Sequence, residues 1–141
     1  MKKFLSLLLL TATLFASCKK ENTIAADAES NSLANASIVR MGNVVYTDHG
    51  ADGSKAIIYK RMDNIYVLKL QDMDFTSPFD TIVYLSDTDK LTSTSLKILS
   101  ALSLEGDVYY TLPQRIDIAP YKFLIIQTIK ESSPTATAKL Q

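Results

Sequence analysis

The sequence predicts an all-β domain, an antiparallel β-sandwich of about seven to eight strands. Three observations lead there. Beyond Ser37 the apolar residues come in short runs rich in Val, Ile, Tyr and Thr, the residue types that fit a pleated, half-buried surface. Turn-forming clusters separate these runs, and Pro113, Pro120 and Pro134 stand at their boundaries. The one stretch with helix-like spacing, 91–104, keeps it only loosely.

In chain order the first element is a leader. Lys2-Lys3 supply a positive start, residues 4–15 an apolar run, and Ala16-Ser17 small residues ahead of Cys18. The run is shorter than the roughly 20 apolar residues that cross hydrocarbon, so 1–17 is expected to be a cleaved signal peptide rather than a span. Leu14-Phe15-Ala16-Ser17-Cys18 resembles the lipobox of bacterial lipoproteins, with Phe15 where Leu, Val or Ala is more usual. The resemblance implies cleavage between Ser17 and Cys18 and acylation of the Cys18 thiol with chains of the palmitate kind. Each buried methylene would then contribute roughly 0.8 kcal/mol to membrane attachment. The implied place is the bacterial cell envelope, lipid-anchored, with the outer membrane as the expected membrane.

Residues 18–37 follow as a lipidated N-terminus and flexible tether. Lys, Glu, Asn, Ala, Asp and Ser dominate there, with only Ile24 and Leu33 as larger apolar side chains, too few to offset the entropy of ordering. A random coil of that length has an end-to-end distance on the order of 25 Å.

The domain is expected over 38–141. Strands are predicted at 44–47, at 56–60 after the turn cluster Asp48-His49-Gly50-Ala51-Asp52-Gly53-Ser54, and at 65–70 after Met62-Asp63-Asn64. The next, 81–86, follows Ser77-Pro78-Phe79-Asp80; it is apolar on both faces and therefore reads as central. Three more are predicted at 108–112, 123–129 and 136–140. Residues 91–104 read as a loop with one helical turn, because Leu91, Leu96, Leu99 and Leu102 sit among Ser and Thr.

Composition and spacing narrow the function. Formal net charge is zero, and loss of Lys2 and Lys3 leaves a slight acidic excess, which argues against a nucleic-acid partner. Cys18 is the only cysteine, so no internal disulfide can form and no cysteine nucleophile lies in the domain. His49 is the only histidine, which excludes His-pair zinc sites and a histidine-based triad. Asp48, Gly50, Asp52 and Gly53 hint at a calcium loop, but Tyr59 stands where an EF-hand needs Glu, and a turn is the simpler meaning. Asp72, Asp74 and Asp80, with Asp87 and Asp89, read as solvated loop acids rather than an oxygen-ligand site. Haem ligation by His49 with Met41, Met62 or Met73 is conceivable on chemistry alone, and Tyr84, Tyr109 and Tyr110 read as packing rather than redox residues. No catalytic, cofactor-binding or metal-binding residue is therefore assigned, and an enzyme is not expected.

One ordered series of residues is informative as a whole. It runs through Gly53-Ser54-Lys55-Ala56-Ile57-Ile58-Tyr59, Val67-Leu68-Lys69-Leu70 with Phe75, Pro78-Phe79-Asp80-Thr81-Ile82-Val83-Tyr84-Leu85-Ser86, and then Leu104 and Gly106. It continues through Tyr110-Thr111-Leu112-Pro113, Tyr121, Leu124-Ile125-Ile126 and Ala138-Lys139-Leu140. This series resembles the DM-thirteen domain, also called the electron-transfer DM domain, over roughly 41–140. The resemblance implies a β-sandwich module of secreted and membrane-attached proteins, with a redox role that leans on a cysteine after a tryptophan. Gln127 and Thr128 stand at those positions and the chain has no tryptophan, so that mechanism does not carry over. The expectation is a membrane-anchored, non-enzymatic binding module that meets an envelope protein or glycan through loops 48–54 and 77–80. The alternative is an accessory in envelope electron transfer, binding haem or docking to a redox partner.

Overall fold

The computed structural model describes residues 32–47 and 53–141. The expected leader, Ser17, Cys18, most of the tether and residues 48–52 lie outside them. Six strands are formed: β1 (Ser37–Tyr46), β2 (Lys55–Lys60), β3 (Tyr66–Ser86), β4 (Leu96–Thr111), β5 (Phe123–Thr128) and β6 (Ala136–Lys139). The all-β antiparallel class is the one expected. Among the described residues no helix is long and apolar enough to cross a membrane.

The pairing pattern determines the shape. β1 pairs with β2 and β6, β6 with β5, and β3 with both β2 and β5, every pair antiparallel. Five strands so connected form a ring, and an odd number cannot alternate in direction around a ring. β3 must therefore reverse its course between residues 66–71, which pair with β2, and 81–86, which pair with β5. The ladder between β3 and β4 breaks at the points where this turn is made. Gln71 and Asp72 together oppose Asp107, and 77–80 bulge out opposite Leu102. Both are β-bulges, which bend a strand and sharpen its twist. Asp72 (φ 51°) and Gly106 (φ 65°) supply the left-handed backbone at the first, and Pro78, with no N–H for the ladder, sits in the second.

β4 follows β3 around the bend, so the two long strands count as four segments and the sheet has eight. These eight segments make one antiparallel sheet rolled nearly into a barrel. Its two layers are joined at one side by the β1–β6 pairing and at one end by the folded β3–β4 hairpin. On the remaining side the two halves of β4 are the free edges.

Several sequence expectations are corrected by this arrangement. The separate strands predicted at 65–70 and 81–86 are the two halves of β3, and 108–112 is the end of β4. Most of the 91–104 stretch, read as loop with a helical turn, is the first half of β4. A further bulge at Ile98 explains the misreading: Val83 pairs with Leu99 but Tyr84 with Lys97, so one residue is extra on β4. The extra residue turns the two-residue period into a three-residue spacing between Leu96 and Leu99, which mimics a helix. β1 begins at Ser37, seven residues before the predicted strand, because its first part pairs with β2 while Ile38, Val39 and Met41 stay exposed and leave no alternation to read.

Inside, Ile58, Leu68, Leu70, Leu85, Leu124 and Ile126 are fully or almost fully buried. Each such side chain contributes on the order of 1.5–3 kcal/mol. β1 and β6 approach closely at Gly42, where any Cβ would collide with the carbonyl of Lys139.

Candidate functional site

The open side of the barrel is a cleft of about 490 Å³ between the two halves of β4. Side chains that face the interior become its lining because no strand covers them. Leu99 and Ala101 come from the first half, Val108 and Tyr110 from the second, and the buried Ile98 and Leu104 also line it. Lys97, Ser100, Ser103 and Glu105 border it at the rim, on the outer face of β4 where they pair with Tyr84, Ile82, Thr76 and Asp74. The volume falls in the range of about 300–1,000 Å³ usual for small-molecule sites, and the composition matches them: mostly apolar, with a few polar groups.

The cleft has distinct ends. Leu96 pairs with Leu85 and Thr111 with Val67, so Lys97 and Tyr110 both lie near the same end. Ala101, Ser103, Leu104, Glu105 and Val108 lie towards the other, near the bend. The pairings Ser37–Lys60 and Lys60–Tyr66 bring the start of β1 to the Lys97–Tyr110 end.

The bend itself is clipped from outside. Lys69 Nζ lies 2.8 Å from Asp107 Oδ2 and 5.4 Å above the Tyr109 ring. Asp107 Oδ1 accepts the Asp72 backbone N–H at 3.1 Å, which holds the bulged residue in place. Burial pushes the Asp107 carboxyl up, but the hydrogen bonds from Lys69 and the Asp72 N–H, together with the Lys69 charge, outweigh it and hold it below the ordinary aspartate value. For Lys69 burial works downward, and its hydrogen bonds and attraction to Asp107 and Tyr109 win, leaving the ammonium above its usual value. On the inner side Tyr46 donates to Ser54 Oγ (3.2 Å), Ser54 donates to the Asp72 carbonyl (2.7 Å), and Tyr46 stacks on Phe75.

No protein-family model, curated protein or solved structure matches this chain. The site is therefore judged on its own geometry.

Ser17, Cys18 and the residues 48–52, with Asp48, His49, Gly50 and Asp52, are outside the described part. Asp72, Asp74 and Asp80 are exposed at the bend, whereas Asp87 and Asp89 lie in the β3–β4 turn at the opposite end. The two groups are not brought together, and among the described residues no three His, Cys, Asp or Glu side chains converge as metal ligands would. Met41 is exposed on β1, Met62 is exposed beyond β2, and Met73 is buried beside the Tyr46 hydroxyl. Of the tyrosines, Tyr84 is half-buried, Tyr109 lies under Lys69, and only Tyr110 reaches the cleft. In the predicted binding loop 77–80, Phe79 is partly exposed with Lys130 Nζ 4.0 Å over its ring. Thr128, the position that the sequence expectation set against a redox cysteine, is buried opposite Thr81.

The cleft was not among the sequence-based candidates. Its first wall lies in the stretch read as loop. The available signal was Leu96, Ile98, Leu99, Ala101 and Leu104 together, an apolar content too high for a solvated loop.

Proposed function

We propose that this protein is a lipid-anchored module of the bacterial envelope, held through Cys18, that binds a small apolar ligand in the cleft between the halves of β4 without chemical turnover. The cleft is the observation that carries this reading. Ile98, Leu99, Ala101, Leu104, Val108 and Tyr110 present an apolar lining where a barrel of this size would otherwise be sealed by strand pairing. Such exposure on a soluble domain marks a ligand or interaction site. The lipobox-like Leu14-Phe15-Ala16-Ser17-Cys18 supports the anchor. The resemblance to the DM-thirteen domain supports an exported binding module and adds no chemistry.

Two measurements test the two halves of the proposal. The full chain bearing Cys18→Ser, titrated with the neutral fluorophore N-phenyl-1-naphthylamine, is expected to give a saturable rise in emission with one site per chain. Ala101→Trp, which fills the cleft, should remove that rise while leaving the thermal melt near that of the parent. Absence of saturable binding would overturn the cleft reading. For the anchor, Cys18→Ala expressed in bacteria should move the protein from the detergent phase to the aqueous phase on Triton X-114 partition; unchanged partition would overturn it.

A further inference from the structure

We propose that the outer face of β1 is a membrane-contact surface that rests on an anionic lipid bilayer, on the side of the sheet away from the cleft.

Strand register fixes which residues make up this face. Ile38 stands opposite Tyr59, Met41 opposite Ile57 and Asn43 opposite Lys55 on β2, and Val45 stands opposite Thr137 on β6. The residues next to those partners, Ala56, Ile58, Ala136 and Ala138, belong to the core. Successive strand residues take opposite faces, so the row on β1 points outward. Among the described residues seven large apolar side chains are exposed, and four of them, Ile38, Val39, Met41 and Val45, lie in this one strand. Met62, the most exposed of the seven, stands on the turn that follows β2, next to the start of β1. Exposure clustered in this way marks a contact surface, whereas singly scattered apolar residues do not.

Charge decides the occupant. β1, β2, β5 and β6 contain no Asp or Glu, and the acids of the sheet are all on β3 and β4. Two lysines flank the apolar row: Lys55 beside Asn43, and Lys139 beside Met41 and Gly42. Among the described residues neither is ion-paired, unlike Lys69 with Asp107. Apolar side chains that enter the acyl boundary, beside lysines whose ammonium groups reach the phosphates, are the two parts of an interfacial membrane site. An anionic bilayer attracts each such lysine. A second copy fits less well, because two of these faces together would gather lysines with no acid to offset them. A protein partner also fits less well, since the exposed apolar row is Ile, Val and Met, without the Trp, Tyr or Arg anchors that dominate protein interfaces.

The place of β1 in the sheet agrees with this occupant. Along the rolled sheet β1 and β6 are the two middle segments and the two halves of β4 are the ends, so the β1 face lies across the molecule from the cleft. A domain resting on β1 keeps the cleft open to water.

The test uses the full chain with Cys18→Ser, so the result stands apart from the lipid anchor. A nitrobenzoxadiazole label is placed on one cysteine, introduced as Met41→Cys, Val45→Cys or, for a control on the rim of β4, Ser100→Cys. Met41 and Val45 are exposed, so neither label enters the core. Each label reports only its own surroundings, and attachment of the chain through its apolar start does not mimic the expected result. With vesicles of phosphatidylglycerol and phosphatidylcholine in equal parts, emission from the two β1 labels should rise several-fold and shift to the blue, while the Ser100 label stays unchanged. Lys55→Gln combined with Lys139→Gln should raise the lipid concentration needed for half of that response about tenfold. β1 labels that stay in water, or a Ser100 label that responds as strongly, would overturn the proposal. An equal response on phosphatidylcholine alone would overturn the anionic preference. A blue shift that appears without vesicles and grows with protein concentration would mean that a second copy covers the face, and would overturn the proposal as well.

Discussion

Lys69, Asp107 and Asp72 show how a few polar side chains hold an irregular backbone. Asp107 joins two features that local sequence does not connect: the ammonium of Lys69 on the paired position region of β3 and the N–H of the bulged Asp72. The lowered Asp107 carboxyl stabilises the fold fully above the ordinary aspartate value, and this contribution is lost as pH falls through the lower folded value. The raised Lys69 ammonium acts in the opposite sense, stabilising fully below the ordinary lysine value and losing the contribution as pH rises through the higher folded one. The clip is thus intact across the neutral range. A stability profile of the full chain should fall below about pH 4, and Asp107→Asn should flatten the part of that fall that belongs to the clip. Because the Asp107 side chain is 38% exposed, the cost of the substitution at neutral pH is expected to be small, about 1 kcal/mol or less. Thermal melts at a series of pH values check both statements. At this scale the sequence was legible where a residue acts alone. Asp72 could be recognised as a solvated acid, but its backbone bond to Asp107 joins positions that only the hairpin register brings together.

At the scale of the element, the bulges decide more than the strands do. The strands predicted at 56–60 and 123–129, formed as Lys55–Lys60 and Phe123–Thr128, were readable because both are short, apolar and flanked by turn residues. β3 and β4 were not readable as single strands, because Ser77-Pro78-Phe79-Asp80 carries the signature of a boundary, and the extra residue at Ile98 breaks the alternation on β4. A sequence period reports which face a side chain takes, and every bulge resets that phase. Gly106 matters for the same reason, since its φ of 65° lies where a side chain is strained although the space beyond it is open. Gly106→Ala is expected to destabilise the protein by about 1 kcal/mol, without the larger loss that a steric clash would add. Urea denaturation gives the value. A fall of several kcal/mol would mean that Gly106 is needed for packing and not only for its backbone conformation.

For the whole molecule, the consequence of the reversed β3 is a sheet closed on one side and open on the other. β5 is paired on both edges and its Leu124, Ile125 and Ile126 are inaccessible, whereas β4 is paired on one edge only. Amide exchange should follow this asymmetry: alternate amides of 96–101 and 108–111 should exchange orders of magnitude faster than those of 124–126. They should stay fast with N-phenyl-1-naphthylamine bound, because a small apolar ligand gives the edge no ladder, whereas slowing of alternate amides along β4 would indicate strand addition. The sequence by itself determined the antiparallel all-β class, the position of most apolar segments and the expectation of an acylated Cys18, since these follow from composition, local period and the order of short motifs. Only the tertiary structure decided that β3 folds back, that β1 and β6 close one side, and that the two halves of β4 face each other across an apolar cleft. The physical reason is that strand pairing joins residues far apart in the chain, such as Val44 with Ala138, and local alternation carries no information about which distant edge a strand will meet.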